Sequence, residues 1–112
     1  MSSGLDLVND LQAILEAMPS GIHAIATWGD KYATAEKRYR VLVRQEILKA
    51  QEAGLPVTII KDLVRGIEEV AEAKRERDRA EAFYKAAQES VNVNKLKARL
   101  YDNQIDREWG NQ

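Results

Sequence analysis

The side chains able to do chemistry are few and scattered. The chain holds one histidine, His23, and no cysteine, which excludes thiolate nucleophiles, thiolate metal sites and disulfides. Di-metal sites in helical bundles place a Glu three residues before a His, because that spacing aims both ligands inward. No glutamate stands at that distance from His23. Glu68, Glu72 and Glu76 share a helix face, but Arg65, Lys74, Arg75 and Arg79 surround them, as on a solvated, salt-bridged face. The stretch "GLPVTIIK" lacks the Gly-Lys-Ser/Thr ending of a phosphate-cradling loop, and no G-x-S-x-G nucleophile motif occurs. His23 therefore reads as a surface or capping histidine. Neither an enzymatic activity nor a cofactor or metal is expected.

Two basic clusters are candidates for nucleic-acid contact. "KRYRVLVR" supplies Lys37, Arg38, Arg40 and Arg44, and "KLKAR" supplies Lys95, Lys97 and Arg99. The net charge of −1, from 17 basic and 18 acidic residues, gives no overall field toward DNA or an anionic membrane. An antiparallel pairing about the bend at 54–57 also sets Lys37–Arg44 opposite Glu68, Glu69 and Glu72, so interhelical salt bridges compete for the first cluster. Among the aromatics, Tyr32, Tyr39 and Tyr84 fall at helical core spacing. Trp109, in "DREWGNQ", has two readings: packing onto Leu7, Leu11 or Ile14, or anchoring an end-on interface, where Trp is enriched.

What must position these residues is helix. With 112 residues, 45 % hydrophobic and 31 % charged, the chain fits one small helical domain, residues 1–112, with a thin core. No apolar run approaches the roughly 20 residues that span a bilayer. The N-terminus lacks the order of a secretory signal, so cytoplasmic residence is expected. A first helix over about 4–18 places Leu5, Val8, Leu11, Leu15 and Met18 at core spacing, with Leu7 and Ile14 widening the stripe. Ser3 and Asp6 approximate its capping box. Pro19 and Gly21 are expected to end it, with Ser20 capping the next. A second helix over about 21–53 repeats Trp28, Tyr32, Ala35, Tyr39 and Leu42, drifting to Val43, Ile47 and Ala50.

In "EAGLPVTIIKDLVRG", Gly54 suits the left-handed residue that closes a helix, Leu55 folds back, and Pro56 cannot continue the ladder. Thr58 then caps a third helix over about 58–109. Alternating steps of four and three from Ile59 select Leu63, Gly66, Val70, Ala73, Arg77, Ala80 and Tyr84. The same steps continue through Ala87, Val91, Asn94, Ala98, Tyr101 and Ile105, a coiled-coil seam. Gly66, Ala73, Ala80 and Ala87 recur at one seam position and allow a close partner helix. Arg77 and Asn94 are candidates to fix register or oligomer state; alternatively, Arg77 extends its head to solvent past its apolar stem. "SVNVNK" weakens the helix, but the seam keeps phase through it, so a continuous helix is expected.

The expected fold is thus all-α: an elongated, coiled-coil-like antiparallel helical hairpin with a short N-terminal helix, assembling as a homo-oligomer. A second helix of roughly 50 Å against a third of roughly 75 Å leaves Ala98 to Trp109 overhanging. Either the first helix or a second protomer covers them. Tyr101, Ile105 and Trp109 are accordingly the expected protein-interaction residues.

"GLPVTIIKDLVRG" followed by "AEAFYKAAQESVNVNKLKARLYDNQIDREWG" resembles small proteins encoded in phages and prophages of Gram-positive bacteria, over residues of about 50–110. The resemblance rests on the bend, the Tyr84 and Asn94-Lys95 region, and Arg107-Glu108-Trp109. It implies action by binding host or phage proteins, or by assisting DNA transactions. The expected function is a non-enzymatic interaction module that inhibits or adapts a host or phage protein, such as a defence or nucleic-acid-processing factor. A nucleic-acid-binding accessory and a structural phage component are the alternatives; pockets between protomers could also hold a small molecule.

Overall fold

Gly54, the residue expected to turn the chain, does so with φ of +77°, a conformation that costs an L side chain but not glycine. Its N–H donates to the Gln51 carbonyl at 3.0 Å, and the Leu55 N–H donates to the Ala50 carbonyl at 3.1 Å. That pair of bonds is a Schellman closure, which satisfies carbonyls that the helix end leaves open. The bend joins two of three helices. In a computed structural model, which describes residues 4–110, they follow as α1 Gly4–Glu52, α2 Val57–Arg65 and α3 Glu68–Gly110. The fold is all-α, an antiparallel helical hairpin with no strand among the described residues. Ser3, of the expected capping box, lies outside them. None of these helices is long and apolar enough to cross a membrane.

Four expectations about the elements are corrected. The first concerns Pro19 and Gly21, which do not end a helix: α1 runs through both. Ser20, expected to cap a second helix, instead donates its hydroxyl to the Ala17 carbonyl at 3.0 Å, as a mid-helix serine does. Gly21 is a point of close approach, since a Cβ there would meet Val91 Cγ2 at 3.0 Å. What carries the helix across Pro19 is the phase of its apolar face. Half-buried or buried positions follow steps of three and four from Gly4 through Leu7, Leu11, Ile14, Met18, Gly21, Ile25 and Trp28. Pro19 itself is exposed, and the loss of one hydrogen bond is outweighed by the unbroken seam.

Second, that phase reassigns the N-terminal stripe. Leu7, Leu11, Ile14 and Met18 face inward, whereas Leu5, Val8 and Leu15, expected in the core, are exposed. Third, Thr58 does not cap α2. Pro56 holds the cap position with ψ of 134° and makes no side-chain cap bond, so Thr58 is already inside the helix.

Fourth, the third helix is two. The N–H groups of Gly66 and Ile67 reach back three residues, to Leu63 and Val64, each at 3.2 Å. This tightened turn overwinds the chain, and the seam accordingly advances by three consecutive steps of three: Val64, Ile67, Val70, Ala73. Ile59, Leu63 and Gly66 are therefore exposed, and Ile60, Val64 and Ile67 replace them. From Val70 to Ile105 every expected seam position is buried or half-buried, and α3 passes unbroken through "SVNVNK".

Contacts group the chain into two compact units, one joining residues up to Ala26 with those from Lys85 onward, the other being Thr27–Tyr84. In the second, Ile60, Val64 and Val70 form a core cluster with Tyr39, Leu42, Val43, Ile47, Ala50 and Ile67 around it. The first buries Leu7 and Val91 between two antiparallel helix segments. Both cores are thin.

Candidate interaction surface

The first of the two expected coverings of Ala98 to Trp109 is the one found. Because α1 starts at Gly4, its first turns lie along the last turns of α3, and a Cβ at Gly4 would overlap the Trp109 indole. The three residues expected to meet a partner thus separate. Ile105 is half-buried in the seam, Tyr101 is half-buried at the edge of a groove, and Trp109 is 57 % exposed against Gly4. The groove is open and holds about 550 Å³; Ala13, Ile14, Asn94, Leu100 and Tyr101 line it, and Asp10 and Lys97 also border it. Leu100 stands 57 % exposed there, with Leu96 and Val93 exposed on the preceding turns. Asn94, the polar seam residue, opens onto this groove rather than being sealed in the interface.

On the other flank of α1 stands a second apolar row. Leu5, Val8, Leu15 and Ile22 each directly follow a seam residue, and all are exposed. Sequence reasoning missed this row because α1 offers two apolar residues per turn (Leu7-Val8, Ile14-Leu15) and the phase was anchored at Leu5. Extending the Trp28–Tyr32 phase backward selects Leu7 and Ile14. Leu96 and Leu100 were missed because seam counting passes over apolar residues off the seam.

The Thr27–Tyr84 unit carries a polar lock across its helices. Arg77 lies in the seam with its ring-facing guanidinium 4.6 Å from the Tyr39 centroid and its Nη1 3.4 Å from Glu36 Oε2. It also donates to Asp78, from Nε at 3.1 Å and from Nη2 at 2.8 Å. Asp78 further accepts from Lys74 Nζ at 3.0 Å. Hydrogen bonds from Lys74 first, and then from Arg77, hold the Asp78 carboxyl below its ordinary pKa. The Tyr32 hydroxyl is raised above its usual value, chiefly by its hydrogen bond to Glu81. Tyr32 also tilts against Tyr84 at 6.0 Å, and Trp28 stacks on Phe83 at 4.5 Å, with Lys31 over the Trp28 ring and Arg79 over Phe83. These contacts set the antiparallel register.

The basic residues considered for nucleic acid are partly engaged. Arg38 reaches across to Glu76 at 3.2 Å, and Arg40 pairs with Glu36 at 2.7 Å within α1. Lys37 and Arg44 are exposed. Lys97 borders the groove, whereas Lys95 lines a separate shallow hollow with Gln88 and Asn92, so the "KLKAR" charges split between two flanks. Arg99 is exposed, two residues beyond Lys97. His23 is exposed on α1, and among the described residues no three His, Cys, Asp or Glu side chains gather as a metal site would require. Comparison with protein-family models, curated proteins and solved structures finds no match to this chain.

Proposed function

We propose that the protein is a non-enzymatic interaction module that seats a helical segment of another protein in the groove beside Tyr101, and by holding it inhibits or adapts that partner. The observation that carries this reading is Leu100, exposed beside a half-buried tyrosine in an open groove with one charge of each sign at its margin. An apolar centre with a polar rim is the layout of a protein interface, and amphipathic helices dock by such grooves. The resemblance of residues 50–110 to phage and prophage proteins makes a host or phage protein the natural partner.

Capture of a partner from a Gram-positive host lysate, followed by titration with Leu100→Asp and Tyr101→Ala, tests the proposal. Each substitution is expected to weaken binding by at least about tenfold, the loss typical of a residue at an interface centre. Equal binding by wild type and both variants overturns the groove assignment. Retention of nucleic acid with a steep salt dependence assigns the chain to nucleic-acid binding instead.

A further inference from the structure

Three helices meet around a hollow of about 290 Å³. Tyr39, Val43 and Ile47 of α1 line it, with Val70 of α3 and Lys61 and Arg65 of α2. All of them belong to the Thr27–Tyr84 unit, and none lines the groove beside Tyr101. The tightened turn at Gly66 and Ile67 divides α2 from α3, and the hollow lies between Arg65 before it and Val70 after it. Its floor is the core cluster itself: Val70 is buried, with Tyr39, Val43 and Ile47 half-buried around it.

What sets this hollow apart is its charge. The groove beside Tyr101 is bordered by Asp10 as well as Lys97, and the hollow at Lys95 by Glu89. Glu69 accompanies Lys37 and Arg38 at a third hollow, and Glu46 accompanies Lys49 at a fourth. Each of those places carries its own counter-charge. Here both charges are positive, and among the described residues no carboxylate lines the wall. Lys61 has no ion pair among the described residues. Arg65 reaches only Asp62, at 3.7 Å, with the two side chains 75 % and 83 % exposed. Lys61 and Arg65 stand four apart on one face of α2, where like charges repel. An anion between them turns that repulsion into two attractions.

We infer that the hollow binds a small organic anion, an apolar ring or chain ending in one carboxylate or phosphate group. The apolar body covers Val43, Ile47 and Val70, while the head group reaches Lys61 and Arg65. The planar guanidinium of Arg65 presents paired donors to either head group, and the Lys61 ammonium adds a point charge. An apolar lining with a few placed polar groups is the composition of a small-ligand site. The size suits a small molecule: about 290 Å³ lies at the lower end of such pockets, roughly 300–1,000 Å³. A ligand there extends the thin core cluster, so its binding stabilises the folded chain by mass action.

NMR titration of the full chain with octanoate, octyl phosphate, octylammonium and inorganic phosphate tests the inference. Octanoate or octyl phosphate is expected to shift the signals of Val43, Lys61, Arg65 and Val70 saturably, the tighter of the two identifying the head group. Octylammonium carries the wrong charge and inorganic phosphate has no apolar body, so both are expected to bind at least about tenfold more weakly. The double variant Lys61→Gln, Arg65→Gln is expected to lose at least about tenfold in affinity for the tighter probe. Lys37→Gln, at a hollow that holds Glu69, should leave it unchanged. Both α2 sites are exposed and Gln is a good helix former, so unchanged circular dichroism separates loss of the site from loss of fold. A rise in melting temperature with the tighter probe, absent in the double variant, is the second readout. Equal affinity for octylammonium overturns the inference, as does full binding by the double variant or the lack of a saturable shift at these residues. Leu100→Asp is expected to leave this binding intact, so failure here is distinguishable from failure of the groove.

Discussion

Arg77 shows how one residue sets the pairing of two helices. A guanidinium in a coiled-coil seam would be costly alone, but here its stem is covered, its face lies on Tyr39, and its nitrogens meet Glu36 and Asp78. The pattern in the sequence exposed the anomaly, a charge at a seam position, without deciding between a register lock and a head extended to solvent. The decision needed Glu36, which lies 41 residues earlier and becomes a neighbour only once the register is known. The ion pair across the helices supports the lock. Asp78, held below its ordinary pKa by Lys74 and Arg77, gives a pH consequence. A depressed carboxyl contributes stability that is present above its unfolded pKa of about 3.9 and is lost as pH falls through its folded value. Acid titration of the wild type should therefore show an extra loss of stability below about pH 4 that Asp78→Asn lacks. The contribution is small because the site is half exposed and solvent-screened. Superimposable acid profiles would remove the proposed role of the carboxylate.

At the scale of elements, the bend was readable because its chemistry is local: glycine with positive φ, a backbone closure and a proline all lie within three residues. Pro19-Ser20-Gly21 carries similar punctuation and yet stays helical, because tertiary packing along Leu7, Ile14, Gly21 and Trp28 overrides it. Local rules see the broken hydrogen bond and miss the seam. The Gly66 turn was hidden for the opposite reason. Its residues extend a four-and-three count without fault on paper, and only the tightened bonds to Leu63 and Val64 reveal that the count slips. Two glycines thus make contrasting predictions. Gly54→Ala, forced into a left-handed conformation, should lower stability by about 1 kcal/mol. Gly66→Ala, at φ of −85° with its nearest new contact at 3.6 Å, should be neutral or raise stability by up to about 1 kcal/mol. Urea unfolding at matched chain concentration measures both. Equal effects would contradict the assignment of the two turns.

The whole molecule is legible in the sequence as all-α and antiparallel, since that follows from periodicity and one bend. Its working surface is not, because exposure depends on which of two adjacent apolar rows faces the neighbouring helix, and a one-residue change in phase exchanges them. The turns that carry Tyr101 and Trp109 are covered by the start of α1, one of the two coverings expected; Tyr101 borders the groove and Trp109 lies against Gly4. What remains is a protein with little core and two apolar flanks, one of which borders the groove proposed as the partner site. Site-specific photo-crosslinking in a Gram-positive cell expressing the chain tests the proposed groove most directly, with the photoreactive residue placed in turn at Leu100 and at Asn103, an exposed polar site on α3. The account predicts adducts to a distinct polypeptide from position 100 and background labelling from position 103. Background labelling at both positions would contradict it.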